Sequence, residues 1–338
     1  MFVEINAPCS LPLGLARLDP ASEKLAWVSA SLQYPPIELR AQANPAGLAI
    51  TGPRAHIAHR YAERFAAHRP AAAHTELQIE WAIPSHMGLG ADPALGLAAA
   101  RALAWTAGEA APDTAGLALA LGLSPDEAPA AWGAAQGGVL LVDAESPAGA
   151  WPAVLRRGLV THADQDDDWV VILVLPRTPD GTPADLEARR LAAVRGAAPY
   201  LSAETGRLVQ ERLFPALERD DFAAFAGAWR DLAALNAAAL AQTPDAPAVD
   251  AETRATLEVM RAEGAAVFGR SPAGLALFGL VRGVSASQTL RKALRAHVGH
   301  FGGTISASLL SPAGAVLTEQ PGELTRTAPP IQMAHPIP

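Results

Sequence analysis

Ile83-Pro84-Ser85-His86-Met87-Gly88-Leu89-Gly90-Ala91-Asp92-Pro93 joins a strand pattern to a helix pattern through a glycine loop. On its N-terminal side Leu77, Ile79, Trp81 and Ile83 alternate with Glu76, Gln78, Glu80 and Ala82, the period of a half-buried strand. On its C-terminal side Asp92 stands where a helix cap is expected, Pro93 fits a first helical turn, and Ala94 to Trp105 is rich in Ala and Leu. A loop of this kind aims free backbone N–H groups at whatever lies before the helix. Orphan donors and the helix dipole both favour negative charge there, so phosphate is the expected guest.

The loop fits neither of two common phosphate motifs. No Lys-Ser/Thr follows the second glycine, as a P-loop requires, and the spacing is not that of a dinucleotide fingerprint. It resembles the Pro-x-x-x-Gly-Leu-Gly loop of the GHMP kinase superfamily. Within that superfamily it is most similar to the β-ribofuranosylaminobenzene 5'-phosphate synthases, whose Pro-x-His-x-Gly-Leu-Gly is matched by Pro84, His86, Gly88, Leu89 and Gly90.

Length and composition agree with an enzyme of that kind. The chain has 338 residues, half of them hydrophobic, enough for a sizeable core in one large or two closely packed domains. A net charge of −8 argues against nucleic acid as a partner. One cysteine, Cys9, excludes a disulfide framework and suits a reducing compartment. No basic segment precedes an apolar core at the N-terminus, and no apolar run is long enough to span a membrane, so the expectation is a cytoplasmic protein without membrane contact.

Along the chain, Phe2 to Ala7 reads as a strand broken by Pro8, and Trp27 to Gln33 and Ile37 to Ala41 as two strands split by Pro35-Pro36. Ala55 to Ala67 has helical spacing, as do Leu117 to Leu121 and Pro125 to Ala135, the latter capped by Ser124. Gly137-Gly138 leads into a short buried strand, Val139 to Val142, that ends at Asp143. An acidic, Pro- and Gly-containing junction, Pro147 to Asp168, precedes the apolar strand Trp169 to Leu175. Helices are expected over Pro183 to Val194 with Thr182 as cap, Glu204 to Ala216, Asp221 to Leu240, Ala251 to Glu263 and Ser287 to Val298. Ala266 to Val281 reads as glycine-rich and then strand-like, and Thr304 to Leu309 as a last strand. The irregular order predicts an α+β fold. The boundaries expected are 1–165 for an N-terminal domain carrying the loop, 166–319 for a C-terminal domain, and 320–338 for a Pro-rich tail of loop or disorder.

The second half extends the resemblance. Gly264 to Phe278 is similar to the family's Gly-Gln-Ser-Ser-Trp-Gly-Pro segment, with Gly269, Ser271 and Gly274 in place. Leu213-Phe214-Pro215-Ala216-Leu217 resembles its Leu-Pro-Ala-Leu turn, and Gly137-Gly138 through Asp143 its Gly-Gly strand. The resemblance implies a two-lobed GHMP fold, with an N-lobe like ribosomal S5 domain 2 and a ferredoxin-like C-lobe, and a homodimer. It implies transfer of ribose 5-phosphate from phosphoribosyl pyrophosphate to an aminobenzoate or hydroxybenzoate with loss of carbon dioxide, the opening step of tetrahydromethanopterin biosynthesis, with Mg²⁺ as cofactor. On that reading Pro84, Gly88, Leu89, Gly90, Ala91 and Asp92 hold phosphate, and Ser10, Gly269, Ser271 and Gly274 hold substrate. His86 is a candidate donor to phosphate, and Asp143 a candidate Mg²⁺ ligand or base.

Departures from the family pattern fall at the chemistry. Ala7-Pro8-Cys9-Ser10-Leu11-Pro12 replaces Ala-Pro-x-Arg-Leu-His, so an arginine and a histidine are lost. Trp27 to Leu32 lacks the family's glycines, and Trp132 to Gln136 cuts short an Arg-rich loop. Ala91-Asp92 stands where the family has Ser-Gly and the kinases Ser-Ser, which puts a carboxylate on the amides a phosphate would use. Every candidate also has a plainer reading: a self-capped connection for the loop, a turn for Asp143 and Ser271, a backbone contact for His86. The pairs His56 and His59, and His297 and His300, have the spacing of zinc ligands without partner motifs, and no protein metal site is assigned. Asp164, Asp166, Asp167 and Asp168 read as a solvated loop. Three functions stay open: a diverged synthase in which Arg17, Arg40 or Arg54 replaces the lost pair, a small-molecule kinase using ATP, and a non-catalytic homologue serving binding or assembly.

Overall fold

The first strand, β1 (Phe2–Arg17), does not stop at Pro8; it runs on through Pro8 and Pro12. Proline cannot donate to a ladder and is tolerated in a strand at bulges. Pairing with β2 (Leu25–Ala43) slips between Ala7 and Cys9 and again between Pro12 and Gly14, so Pro8 falls in one slip and Pro12 borders the other. β2 is likewise one strand and not two. Residues 33–36 bulge opposite Pro8, the Tyr34–Pro35 peptide is cis, and β2 changes partner there: Ala26–Ala30 pairs with β5 and Glu38–Ala43 with β4. The prolines bend a continuous strand between two neighbours.

The computed structural model describes residues 1–324 apart from 20–23, 68, 111–112, 148, 161–165, 245–247 and 300–301. Asp164, His300 and the Pro-rich end beyond Leu324 lie outside the described residues. After β2 come β3 (Ala49–Thr51), α1 (Ala55–Ala67), β4 (Thr75–Trp81), α2 (Ala91–Thr106), α3 (Thr114–Ala120), α4 (Ala128–Gln136), β5 (Val139–Asp143) and β6 (Val154–Gly158). The second half contains β7 (Trp169–Pro176), α5 (Leu186–Gly196), α6 (Glu204–Arg207), a π-helical turn (Leu208–Leu213), α7 (Phe214–Glu218), α8 (Phe222–Leu240) and α9 (Ala251–Ala262). It ends with β8 (Val267–Arg270), β9 (Leu277–Arg282), α10 (Gly283–Val298), β10 (Gly303–Leu309) and β11 (Val316–Gln320).

Two sheets organise these elements into an α+β fold. One has the path β11-β1-β2-β4-β3 with β5 and β6 branching from β2; the other has the order β10-β7-β9-β8. β11 crosses back to pair with β1, Phe2 opposite Gln320, so Gln320 closes a strand instead of opening a tail. The alternation that marks β4 holds through Leu77 and Ile79, both buried, and fails at Trp81, which lies nearly half exposed against Tyr34. β7 is apolar throughout because both its faces are covered. Val171, Leu173 and Leu175 face the main core with Phe225 and Trp229 of α8, while Val170, Ile172 and Val174 meet Met260 of α9 and Leu290 and Leu294 of α10.

The alanines of α2 let it sink into the core: Leu95, Ala99, Ala102 and Leu103 are wholly buried, each leucine contributing about 2 kcal/mol. α5 starts three residues later than its pattern predicts. Thr182 does not cap it; its hydroxyl donates to Pro179 O at 2.7 Å, and Asp185 precedes the first turn. The single helix expected over Glu204 to Ala216 contains the π-helical turn, which ends as Pro215, lacking an N–H, enters α7. Ser124 does cap its segment, accepting from Asp126 N–H while Glu127 returns a bond to Ser124 N–H at 2.7 Å. Among the described residues no helix is long and apolar enough to cross a membrane.

Candidate functional site

The loop between β4 and α2 is held by three residues in the left-handed region: His86 at φ 68°, Gly88 at 69° and Gly90 at 68°. His86 bears a side chain there, a conformation non-glycine residues seldom adopt. Gly90 is the residue before α2, and no side chain caps that helix. Asp92 therefore does not cap, contrary to the expectation from its position. Because Gly90 turns the chain, Asp92 sits in the first turn with its carboxylate held by Arg54 and, at 3.2 Å, by Arg60. Arg54 also donates to Ile83 O at 3.1 Å, tying the loop's entrance to the same guanidinium. The loop's own amides, ahead of the helix, meet a different carboxylate.

That group is Glu187 of α5. Its Oε1 accepts from Gly88 N–H at 3.0 Å, and the His86 amide on the same loop also favours its charged form. An amide of the glycine loop thus holds a carboxylate, as backbone N–H groups before a helix hold an anion. Burial raises the pKa of Glu187 above its ordinary value and the charge of Asp92 adds to this, against the amide bonds and Arg54, which lower it. No reading of the sequence singled out Glu187. A glutamate in an Ala- and Arg-containing helix carries no local signal, and only the docking of α5 on the loop reveals it.

The C-terminal glycine segment clasps the loop from the other side. Ser271 donates through Oγ to Gly88 O at 2.8 Å, Leu275 N–H to His86 O at 2.8 Å, and Ala276 N–H to Met87 O at 3.1 Å. Arg190 of α5 donates to Gly274 O. Backbone meets backbone here: a Cβ on Gly274 would lie 2.0 Å from Gly88 N, and one on Gly88 would lie 2.2 Å from Gly274 N. The loop and residues 271–276 of the glycine-rich segment pack as one structural unit. Gly269 itself is on β8 against Phe278, away from the loop.

Ser10 is buried beside the loop, its N–H donating to Leu89 O at 3.0 Å and its Oγ directed at Pro129 O. Pro84 lies just after β4; Leu89 and Ala91 are buried in the core. Asp143 is not brought to the loop. At the end of β5 it accepts from Glu145 N–H at 3.1 Å and faces Lys24 at 3.5 Å, and it does not line the cleft. Of the three arginines expected to replace the lost basic pair, only Arg54 reaches the site. Arg17 donates to Ala198 O at 2.7 Å, and Arg40 pairs with Glu4 and Glu80.

In front of the loop is a cleft of about 380 Å³ lined by His86, Gly88, Arg54, Arg60, Glu187 and Trp27, among others. Glu127 also lines it, and burial raises its pKa above the ordinary value. Two buried donors of lining residues, Trp27 Nε1 and Arg54 Nε, have no acceptor. A protein-bound Mg²⁺ does not fit this cleft as it stands. Asp92 is committed to two arginines, Asp126 to Arg195 and Glu187 to the Gly88 amide, and among the described residues no three His, Cys, Asp or Glu side chains converge as ligands.

No protein-family model and no curated protein sequence matches the chain. Solved structures do. It is similar to mevalonate diphosphate decarboxylase from Staphylococcus aureus, 15% identical, TM-score 0.63, over 94% of this chain and 98% of that one. It is similar to homoserine kinase from Cytophaga hutchinsonii, 14% identical, TM-score 0.59, over 94% and 97%. A third is the L. major mevalonate kinase in complex with R-mevalonate, 14% identical, TM-score 0.58, over 91% and 96%. With coverage this complete and identity this low, the likeness is one of architecture: the chain has the α+β fold of the GHMP kinases.

Proposed function

We propose that the cleft binds a phosphorylated small molecule on the glycine loop and that the chain transfers ribose 5-phosphate from phosphoribosyl pyrophosphate to an aromatic acid, as its likeness to the β-ribofuranosylaminobenzene 5'-phosphate synthases implies. The observation that carries this reading is that the glycine loop, through Gly88 N–H, already holds an anionic group. Trp27 and Arg54, each with a buried donor that lacks an acceptor, line the same cleft. In the reaction a bond forms between the anomeric carbon and the ring carbon that bears the carboxylate. The bond to pyrophosphate oxygen breaks, and carbon dioxide leaves with its bonding pair restoring the aromatic ring. The protein's part is to hold leaving pyrophosphate on preorganised amides and to orient the two reactants. Glu187 must then be neutral or turned aside when the phosphate arrives. A two-domain division near residue 165, a homodimer and a cytoplasmic location belong to the same proposal.

Phosphorus NMR of the protein with Mg²⁺, phosphoribosyl pyrophosphate and 4-aminobenzoate tests it. Pyrophosphate released only when the acid is present is the expected result; neither binding nor release refutes it. One observation favours a second reading, a non-catalytic homologue: a carboxylate of the chain itself already occupies the cradle. The kinase reading draws on the names of the similar structures, but Asp92, clasped by Arg54 and Arg60 where the kinase loops carry serine, gives it less support.

A further inference from the structure

α5 is one wall of the loop cleft, which Glu187, Ala188 and Leu191 line. The wall is held unequally along its length. At its C-terminal end Val194, the one buried side chain of the helix, packs in a cluster with Leu15, Trp27, Ala197 and Leu201. Arg195 pins the same end, donating to Asp126 Oδ1 and to Ala144 O, each at 2.7 Å.

The first two turns have no buried side chain. Two polar contacts tie them down: Glu187 accepts from Gly88 N–H at 3.0 Å, and Arg190 donates to Gly274 O. The chain arrives through residues 177–185, mostly exposed, where Thr182 N–H and hydroxyl both turn back on Pro179 O at 3.2 and 2.7 Å. A packed anchor at one end, with polar ties and an exposed lead-in at the other, is how an element that turns about a hinge is built.

The two ties are not independent. Both end on one unit, because Gly274 packs backbone to backbone on Gly88. They are also coupled by charge: the pKa of Arg190 is lowered to about 10, by burial first and then by the charge of Arg270, with Glu187 opposing. Glu187 is thus the counter-charge that steadies the guanidinium on Gly274 O. Loosening the first tie weakens the second.

We infer that the first two turns of α5 are a hinged wall of the cleft, latched shut by Glu187 on the Gly88 amide and Arg190 on the Gly274 carbonyl, and released when an anion takes that amide. The releasing anion rests on the reading under Proposed function; the latch does not. An anion on Gly88 N–H takes the partner of Glu187 and repels its carboxylate, and Arg190 is left with the charge of Arg270 alone. A swing of about 30° about Val194 carries Glu187, about 10 Å along the helix at 1.5 Å per residue, about 5 Å from the amide. Entry to the cleft is then gated by charge, since a neutral guest cannot displace the carboxylate.

The test is a distance read by pulsed electron paramagnetic resonance between spin labels at Arg189→Cys on α5 and Glu63→Cys on α1, in the full chain. The two native side chains are 68% and 65% exposed, and Cys9 is buried and escapes labelling. α1 is the fixed reference, with Tyr61 and Phe65 in the core. At residue 189 the swing lengthens the distance by about 4 Å. Inorganic pyrophosphate is expected to produce this shift. Glu187→Ala and Arg190→Ala should each produce it without any ligand, whereas Glu187→Gln, which keeps an acceptor for the amide, should hold the short distance. Circular dichroism matching the parent chain shows that each variant is folded. A distance unmoved by Glu187→Ala and by Arg190→Ala overturns the inference, as does pyrophosphate that binds by calorimetry and leaves the distance unchanged. If both alanine variants lengthen the distance and pyrophosphate does not bind, the latch stands and the phosphate reading falls.

Discussion

Replacing Glu187 by glutamine separates the shape of the loop cradle from the charge that fills it. Glutamine can still accept from Gly88 N–H through its amide oxygen, so the bond that docks α5 on the loop is kept while the negative charge goes. A phosphate drawn to the same amide would stand about 4 Å from the carboxylate, a repulsion of about 4 kcal/mol per charge pair at an effective dielectric of about 20. The protein can escape part of this by protonating the carboxyl. At pH 7 and the ordinary pKa of 4.5 that costs about 3.4 kcal/mol, and less here because burial raises the pKa. The smaller figure is the ceiling, and solvent at the mouth of the cleft lowers it further. Glu187→Gln is therefore expected to tighten binding of inorganic pyrophosphate at pH 7 by about ten- to a hundredfold, or about 1.4–2.8 kcal/mol, measured by isothermal titration. The gain should shrink as the pH falls toward 5, where the wild-type carboxyl protonates on binding and the two proteins converge. Equal affinities at pH 7, or a gain that widens on acidification, would refute the idea that Glu187 is a charged occupant of a phosphate site.

Stability should move with pH in the same sense. A carboxyl whose pKa is raised by folding holds its proton more tightly in the folded state, so its contribution is favourable at low pH and is lost as the pH climbs from 4.5 through the raised value. In urea titrations Glu187→Gln should thus match the wild type near pH 4 and be more stable at pH 8. Gly274→Ala should cost about 2–3 kcal/mol, because its Cβ would lie 2.0 Å from Gly88 N and backbone cannot yield as a side chain does. Gly227→Ala is the contrast: in mid α8 with nothing within 4 Å of the new Cβ, it should stabilise by about 0.5–1 kcal/mol. Asn236→Ala removes a side chain that accepts from Leu15 N–H at 2.8 Å and donates to Leu15 O at 3.0 Å beside the second β1 slip; a loss of about 2 kcal/mol in the same assay is expected.

Much of this architecture is written in local patterns. The loop, α1, α8 and the doubly buried β7 follow from periodicity and capping, and Ser124 and Asp221 cap where their types suggest. Failures come where a long-range partner overrides a local rule. Pro8 and Pro35 are strand breakers by chemistry, yet a β-slip and a change of partner absorb them. Asp92 is a helix cap by type, yet two arginines from α1 and the turn before it draw the carboxylate outward. Asp143 ends a strand as expected, but the sheet carries that end away from the loop. Arg54 alone of three arginines reaches the cleft because it lies in the turn that leads β3 into α1, a place no composition rule identifies.

The loop's backbone is held in a shape that needs an explanation of its own. His86 adopts a left-handed backbone, a conformation that costs a non-glycine residue about 1 kcal/mol or more. A mere connection between β4 and α2 has no need of it. The structure offers two compensations, Ser271 and Leu275 holding the carbonyls of Gly88 and His86 from one side and Glu187 holding the Gly88 amide from the other. If the second were only a substitute for a lost ligand, a neutral or hydroxyl side chain would satisfy the amide without bringing an acid beside Asp92 and Glu127. A carboxylate there raises its own pKa and makes occupation of the cradle depend on its charge. That dependence is what a displaceable occupant requires, and it is why removing the charge at Glu187, more than removing either glycine, distinguishes a retired site from a guarded one.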